Sequence, residues 1–242
     1  MSAGEAEFLA GYDPSLYERP AVTVDLVLMS IVDGAPAALL MRRDEPPALG
    51  RWALPGGFVG IGEPLDTAAR RILREKAQMQ DAYVEQLYTF GAVNRDPRMR
   101  VVTVAYFALL PAERFTAALK ANPLLTLARI APEGPAEAGH AASASGESGR
   151  LPLAFDHADI LGLAIRRLRG KLDYSTIGFA LLPERFTLRQ LQDVHEAILG
   201  LPVNKSAFRR RMLDKGWLEA TGERETGASF RPAELFRFKP QI

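Results

Sequence analysis

Apolar and polar positions fall into blocks along the chain, and the period changes between blocks. Ala21–Val32 (AVTVDLVLMSIV) is a β-branched and aliphatic run, followed by Asp33-Gly34 and a second apolar run at Ala37–Met41. Two such runs flanking an Asp-Gly pair predict a hairpin. Arg42–Gly50 is a polar loop with two prolines, and Trp52–Phe58 (WALPGGF) reads as one short strand with two glycines near its end. From Pro64 to Gln78 the period lengthens, so that Leu65, Ala68, Ala69, Ile72 and Leu73 share one helical stripe. Val84–Phe90 and Val101–Leu110 return to strand character, joined by the charged loop Asn94–Arg100. The strands do not alternate with helices, which predicts an α+β fold rather than repeated βαβ units.

Ala131–Gly149 (APEGPAEAGHAASASGESG) breaks the pattern, since it carries no aliphatic side chain larger than alanine. It buries too little apolar area to offset its ordering entropy, which predicts a flexible insert with His140 exposed and idle inside it. Asp156–Leu172 is an amphipathic helix with Ile160, Leu163, Ala164 and Leu168 on one face, and Tyr174–Leu182 contains a short strand-like stretch. Thr187–Leu199 reads as a helix with Thr187 as its N-cap, Pro202–Asn204 as a turn, and Lys205–Lys215 as a second helix capped by Asn204 and closed by Gly216. Trp217–Thr221 and Ala233–Phe238 can pair as a hairpin. Helix, turn, helix, hairpin outlines a winged helix-turn-helix. No internal repeat is visible. The expected division is residues 1–150, with 131–149 as the insert, followed by 151–242 as a linker helix and the winged unit.

Composition narrows the chemistry. Among 242 residues there is no cysteine and only three histidines, which excludes disulfides, iron–sulfur clusters and thiolate zinc sites and disfavours a polyhistidine metal centre. The N-terminus lacks a basic region followed by an apolar core, and no window approaches the ~20 apolar residues that span a bilayer. A cytoplasmic chain without a membrane partner is the expectation. The formal charge of +1 hides two unlike halves. Residues 1–155 carry 15 basic and 18 acidic side chains, net −3, and residues 156–242 carry 15 and 11, net +4. The basic excess concentrates in KSAFRRRMLDK at 205–215. There Ala207, Phe208, Met212 and Leu213 can form a packing face while Lys205, Ser206, Arg209 and Arg210 project outward, as a recognition helix requires. Lys171, Arg189, Arg231 and Arg237 are expected to add contacts to the phosphate backbone from flanking elements and the wing. A solvated basic helix without a nucleic-acid partner is the plainer alternative.

The glycine–glutamate segment carries the second motif. Gly57, Glu63, Arg71, Leu73, Glu75 and Met79 stand at the spacing of the Nudix box, and RWALPGGFV before it also resembles Nudix sequence. The spacing sets carboxylates one helical turn apart, where they can hold Mg²⁺ against a diphosphate. Ile72, Lys76 and Gln78 replace two glutamates and the glycine of that box. One helical carboxylate of three remains, and Lys76 sets a cation where a divalent ion would sit. The box therefore implies a Nudix fold without hydrolysis and without a resident metal, with Glu63, Arg71 and Glu75 as remnants. Such a fold can still bind a nucleotide. Arg42, Arg43, Arg51, Arg95, Arg98 and Arg100 suit a diphosphate through forked hydrogen bonds, with Arg98 preferred, and Phe58 can stack a base. Asp25 is expected to be structural or close to the ligand. Asp156 and His157 are expected to serve as a helix cap and a structural hydrogen-bonding group rather than as a catalytic pair.

The wider resemblance joins the two halves. RWALPGGFV, NRDPRMRVVTVAYFALLP, LPLAFDHADILGLAIRRLRGKLDYSTIGFALLPERFTLRQLQDVHEAILG and NKSAFRRRMLDKGWLEATGE are similar to the Nudix-related transcriptional regulators of the NrtR family, over roughly Tyr17–Ala128 and Leu151–Phe238. The resemblance implies a Nudix α/β/α-sandwich-like domain followed by a winged helix-turn-helix. It implies a repressor of NAD-metabolism genes that binds double-stranded operator DNA as a homodimer at the nucleoid. ADP-ribose or a related NAD-derived nucleotide would be the effector, with no cofactor required. Three alternatives stay open: an active Mg²⁺-dependent hydrolase of ADP-ribose or nucleoside diphosphates, a related regulator of sugar catabolism, and an interaction module that binds no DNA.

Overall fold

A computed structural model describes residues 2–79, 82, 84–134, 141–226 and 232–240. Helix α1 (Ala3–Gly11) opens the chain behind a capping box in which Ser2 and Glu5 each accept from the other's backbone N–H. Strands β1 (Ala21–Val32) and β2 (Ala35–Arg42) form the predicted hairpin, with Val32 opposite Ala35. Asp33 and Gly34 both take positive φ, 48° and 70°, the twist that a two-residue hairpin loop needs. The stretch read as one strand is two: β3 (Trp52–Ala53) pairs with β2, and β4 (Gly56–Phe58) pairs with β1. Leu54 and Pro55 separate them because proline has no N–H and the Leu54 N–H is taken by His157 Nδ1 at 2.9 Å.

The order continues through α2 (Leu65–Ala77), β5 (Glu85–Phe90), β6 (Val101–Leu109), α3 (Thr116–Ala121), β7 (Leu125–Pro132), β8 (Ala142–Gly146), β9 (Gly149–Leu151) and α4 (His157–Lys171). One sheet runs β5-β6-β1-β2-β7-β8-β9, with β1 and β6 parallel. Helix α2 covers one face and α4 the other. Val24, Leu26 and Leu28 of β1 cluster with Ala68, Ala69, Ile72 and Leu73 of α2. Val27 and Met29 cluster with Ile160, Leu161 and Ile165 of α4. Burial on both faces is why this strand reads as a nearly unbroken apolar run.

The flexible insert expected over 131–149 is corrected where residues are described. Positions 142–151 form the antiparallel strands β8 and β9, and Ala144 lies opposite Ile130 of β7. Ala142 and Ala144, each 1% exposed, join the core beneath α4. Alanine suffices there because the helix packs against this strand and the backbone groups pair with β7. Composition alone cannot register either effect. His140 lies outside the described residues.

The second half continues with β10 (Phe186–Thr187), α5 (Leu188–Leu199), α6 (Lys205–Asp214), β11 (Leu218–Arg224) and β12 (Glu234–Phe238). Thr187 and Gln190 form a capping box at the start of α5, and the Asn204 side chain accepts from the Ala207 N–H at 2.9 Å at the start of α6. The strand-like stretch at Tyr174–Leu182 is instead a 3₁₀ helix over Ile177–Leu181, with the Phe179 N–H bonded to the Thr176 carbonyl. An alternation over five residues is too short to distinguish from a turn of helix. The wing is a three-stranded sheet, β10-β12-β11, whose two-residue first strand left no periodic trace. This winged unit does not stand apart. Phe179, Phe186, Leu191, Ile198, Phe208, Met212 and Phe236 belong to the same apolar cluster as α4 and the sheet.

Two outcomes are expected. Ala144→Asp places an unpaired charge in the core and is expected to cost more than about 3 kcal/mol in urea unfolding. A cost below about 0.5 kcal/mol would show that 142–146 is not packed. Gln78, at the box glycine position, ends α2 in the left-handed region at φ 52° and is exposed. Gln78→Gly is expected to add about 1 kcal/mol to stability in the same assay.

Candidate functional site

Two regions gather the predicted residues. The first is a cleft of about 340 Å³ near the start of the parallel strands β1 and β6, bounded also by β4, the end of α2, the loop 92–100 and the start of α4. Arg43, Phe58, Lys76, Arg95 and Arg98 line it. Arg98 is held by Asp96, with Nη2 to Oδ2 at 2.8 Å, and its guanidinium lies 5.3 Å from the centre of the Phe58 ring. Asp96 is correspondingly lowered below the usual carboxylate range by the Arg98 hydrogen bond. On the opposite wall, Arg43 sits 5.1 Å over the Phe155 ring. Two arginine–aromatic pairs thus face a cavity that can accept a flat ring and an anion.

The floor is polar and buried. Asp25 and Arg95 are 7% and 9% exposed, and Arg95 pairs with Asp156 at 2.7 Å and Asp25 at 3.4 Å. Burial opposes the charge on Arg95, and the two carboxylates outweigh it, so its pKa lies above the ordinary guanidinium value. The fully enclosed His157 is pushed down by desolvation, against the pull of Asp25 and Asp156. Its neutral ring accepts from the Leu54 N–H at Nδ1, which leaves the Nε2 proton facing Asp25 Oδ1 at 3.8 Å. Glycine is required at position 56, since a Cβ there would meet Asp25 Oδ1 at 2.3 Å and the Val24 carbonyl at 2.9 Å.

The box remnants lie beside this cleft. Arg71 donates to both oxygens of Glu63 at 2.8 Å and to Glu75 at 3.4 Å. The Arg71 hydrogen bond, helped by the Gly60 N–H, holds Glu63 down at about 2. Ile72 is buried in the core behind Gly57 and offers no oxygen. The donor set needed for the divalent cation of a Nudix hydrolase does not fit here: one position is apolar, Lys76 lines the cleft, and both surviving carboxylates are engaged by one guanidinium.

The second region is α6. Phe208 and Met212, one turn apart, are its buried anchors, and Phe208 meets the His195 ring edge-on at 4.9 Å. Lys205, Ser206, Arg209 and Arg210 are exposed, and the three cations have no ion-pair partner among the described residues. Arg211 and Lys215 differ: Arg211 pairs with Asp173 at 3.4 Å, and the Lys215 ammonium sits 4.1 Å over Trp217. A larger cavity, about 560 Å³, lies between the end of α4 and the wing, walled by Phe179, Phe186 and Phe238. It is mainly apolar, and its rim cations Lys171 and Arg237 are paired with Glu85 and Glu219. The smaller cleft is the one in which several cations converge.

Residues 20–129 match the NUDIX domain and residues 178–238 the NrtR DNA-binding winged helix domain. The chain is 37% identical to the ADPR-responsive transcriptional repressor NtrR of Acinetobacter baylyi, over 99% of its own length and 90% of that protein. It belongs to the NrtR family. The NrtR of Shewanella oneidensis crystallised with a 27mer DNA superposes with a TM-score of 0.75 at 35% identity, over 90% of this chain and 93% of that one. A MutT/nudix family protein of Enterococcus faecalis aligns over 99% of both chains with a TM-score of 0.76 at 26% identity.

Within this NrtR fold, several predicted placements are corrected. Arg42, Arg51 and Arg100 do not line the cleft: Arg42 is exposed outside it, Arg51 donates to the Leu153 carbonyl at 3.3 Å, and Arg100 braces its own loop through the Ala92 carbonyl at 3.0 Å. Asp156 makes no cap hydrogen bond, because both its oxygens are occupied by Arg95. Ala207 and Leu213 are exposed, since only one side of α6 meets α5. Lys171 and Arg237 have the pairings given above, and Arg189 pairs with Asp193 at 2.7 Å. Arg231 lies outside the described residues. Phe155 was missed, for an aromatic before a helix carries no motif.

The depressed Glu63 titration is testable. Its stabilising contribution is full above the ordinary value of 4.5 and is lost as pH falls through about 2. Carboxyl-carbon NMR is expected to show Glu63 ionised at pH 3.5, and Arg71→Ala is expected to return its midpoint toward 4.5. An unchanged midpoint in the variant would mean that Arg71 is not the cause.

Proposed function

We propose that the chain is an ADP-ribose-responsive transcriptional repressor that acts as a homodimer on operator DNA at the nucleoid. Residues 1–150 sense the nucleotide, and residues 151–242 supply a linker helix and the DNA reader. The observation that carries this reading is the full-length likeness to the Acinetobacter repressor, combined with exposed, unpaired cations at the start of α6. Those cations sit where a recognition helix presents its N-terminal half to base edges and phosphates. Two such helices related by a twofold axis fit a pseudo-palindromic site.

The effector is ADP-ribose or a close NAD-derived nucleotide, held by Arg43, Arg95 and Arg98, with an aromatic contact to Phe58. Binding needs no metal, and the Nudix domain does not hydrolyse its ligand. The apolar Ile72 and the clamp of Arg71 on Glu63 and Glu75 support both statements. Genes of NAD metabolism are the proposed target, in keeping with an effector derived from NAD.

Fluorescence anisotropy with a duplex selected from a random library tests the reading. Saturating ADP-ribose is expected to lower duplex affinity at least tenfold, and unchanged affinity would overturn the effector assignment. Arg210→Ala is expected to weaken specific binding by about 1–3 kcal/mol, or 5- to 150-fold, with ADP-ribose binding unchanged. Unaltered duplex affinity would remove α6 from the interface. Incubation with ADP-ribose and Mg²⁺ is expected to release no AMP, whereas robust turnover abolished by Glu75→Gln would establish a hydrolase instead.

A further inference from the structure

The buried charges beneath the cleft also form the joint between the sheet and α4. Arg95 donates through Nε and Nη2 to both oxygens of Asp156, at 2.8 and 2.7 Å, and reaches Asp25 only at 3.4 Å. Asp25 is fixed in the middle of β1, opposite Gly56 of β4 and Ala105 of β6. Asp156 instead immediately precedes α4, so it is the partner that can move with that helix. Its neighbour Phe155 holds the left-handed φ of 50° and forms part of the cleft wall. At its far end, α4 is tied to the winged unit, where Arg169 Nε donates to the Ile198 carbonyl of α5 at 2.8 Å. Phe155 and His157 therefore line the cleft, with Asp156 between them in the chain and paired to the cleft-lining Arg95, at the point where the helix that reaches the reader begins.

Two carboxylates share one guanidinium here, and the His157 ring beside Asp25 accepts at Nδ1 and is neutral. An incoming diphosphate offers oxygens of the same geometry as a carboxylate, and so competes for the same Nε–Nη2 fork. We propose that Asp156 is the positioning residue of the switch: acting through Arg95, it holds α4 in the DNA-binding orientation, and it yields the guanidinium to the phosphates of a bound nucleoside diphosphate. Release frees the first turn of α4, and the shared apolar cluster carries the displacement to the winged unit. The inference rests on the regulator reading above. It requires that ligand and DNA disfavour one another by the same factor.

The full-length chain, Asp156→Asn and Asp25→Asn are compared by duplex anisotropy with and without ADP-ribose, and by calorimetry of ADP-ribose alone. In Asp156→Asn the duplex is expected to bind several-fold more weakly without ligand, ADP-ribose more tightly, and the ratio of duplex affinities with and without ligand to collapse toward one. Asp25→Asn removes charge from the same cluster but not from α4, and is expected to keep most of the wild-type ratio. A wild-type ratio in Asp156→Asn, or an equal collapse in both variants, overturns the proposal. Hydrogen exchange on the wild type needs no variant to fold: ADP-ribose is expected to speed exchange of amides 157–161, and unchanged exchange there overturns it as well. If the wild type binds ADP-ribose with no effect on the duplex, the regulator reading itself fails, and the switch with it.

Discussion

Helix α4 sets the terms for the rest of the molecule. Its buried residues include Ile160, Leu161, Ala164, Ile165 and Leu168, which belong to one apolar cluster with residues of both the sheet and the winged unit. The helix lies on the strands around β8 and simultaneously against α5, and the cluster it organises runs without a break from Val27 to Phe236. A helix buried on two sides cannot shift against one partner without disturbing the other, because packed interiors respond by repacking rather than by smooth deformation. Coupling between the halves is therefore expected from the core itself. The polar groups at the N-terminus of α4 decide which arrangement is held.

In the proposed regulator the altered box is a rewired site rather than a damaged one. In a hydrolytic site, clustered carboxylates remain compact because a divalent ion neutralises them. Here Arg71 supplies that countercharge, bridging Glu63 and Glu75 on the side of α2, and Lys76 projects a cation into the cleft. Without an ion there is no Lewis acid, so in the proposed regulator affinity for an anionic ligand falls to the arginines. In the proposed regulator this has a further use. A ligand that is retained unhydrolysed reports its concentration through occupancy, and the differential affinity between two arrangements then sets the size of the response.

Long elements were legible in the sequence, and contacts between distant elements were not. The β1–β2 hairpin, the α2 stripe and the α5–α6 pair with Thr187 and Asn204 caps follow from local period and cap chemistry, which act within a few residues. The strand at 142–146 escaped because its alanines owe their burial to α4, a partner far along the chain. The cleft was legible only in part. Arg43, Phe58, Arg95 and Arg98 were found as cations and an aromatic flanking the box, yet Arg42, Arg51 and Arg100 have the same chemistry and face elsewhere. Side-chain direction depends on the loop's own hydrogen bonds, such as Arg100 to Ala92, and these are invisible to residue type. Asp156 shows the limit most sharply. Its position before a helix reads as a cap, and a buried guanidinium sixty-one residues away redirects it.

The net charge of the second half, +4, misstates what a DNA duplex would meet. Arg185, Arg189 and Arg237 are each held by an acidic partner, and Arg211 and Lys215 are drawn toward Asp173 and two aromatic rings. Among the described residues the pairings cancel much of this charge and leave Lys205, Arg209 and Arg210 as the exposed, unpaired cations of α6. Three cations release few counterions, and with a salt slope of about −0.9 per phosphate contact their sequence-independent affinity is modest. A proposed dimer doubles the number but does not make the surface strongly basic. Such a reader should spend little time on random sequence, and its hold on an operator must come from base-edge contacts made twice. That leaves occupancy sensitive to the spacing of the two α6 helices, the quantity that a movement of α4 would change.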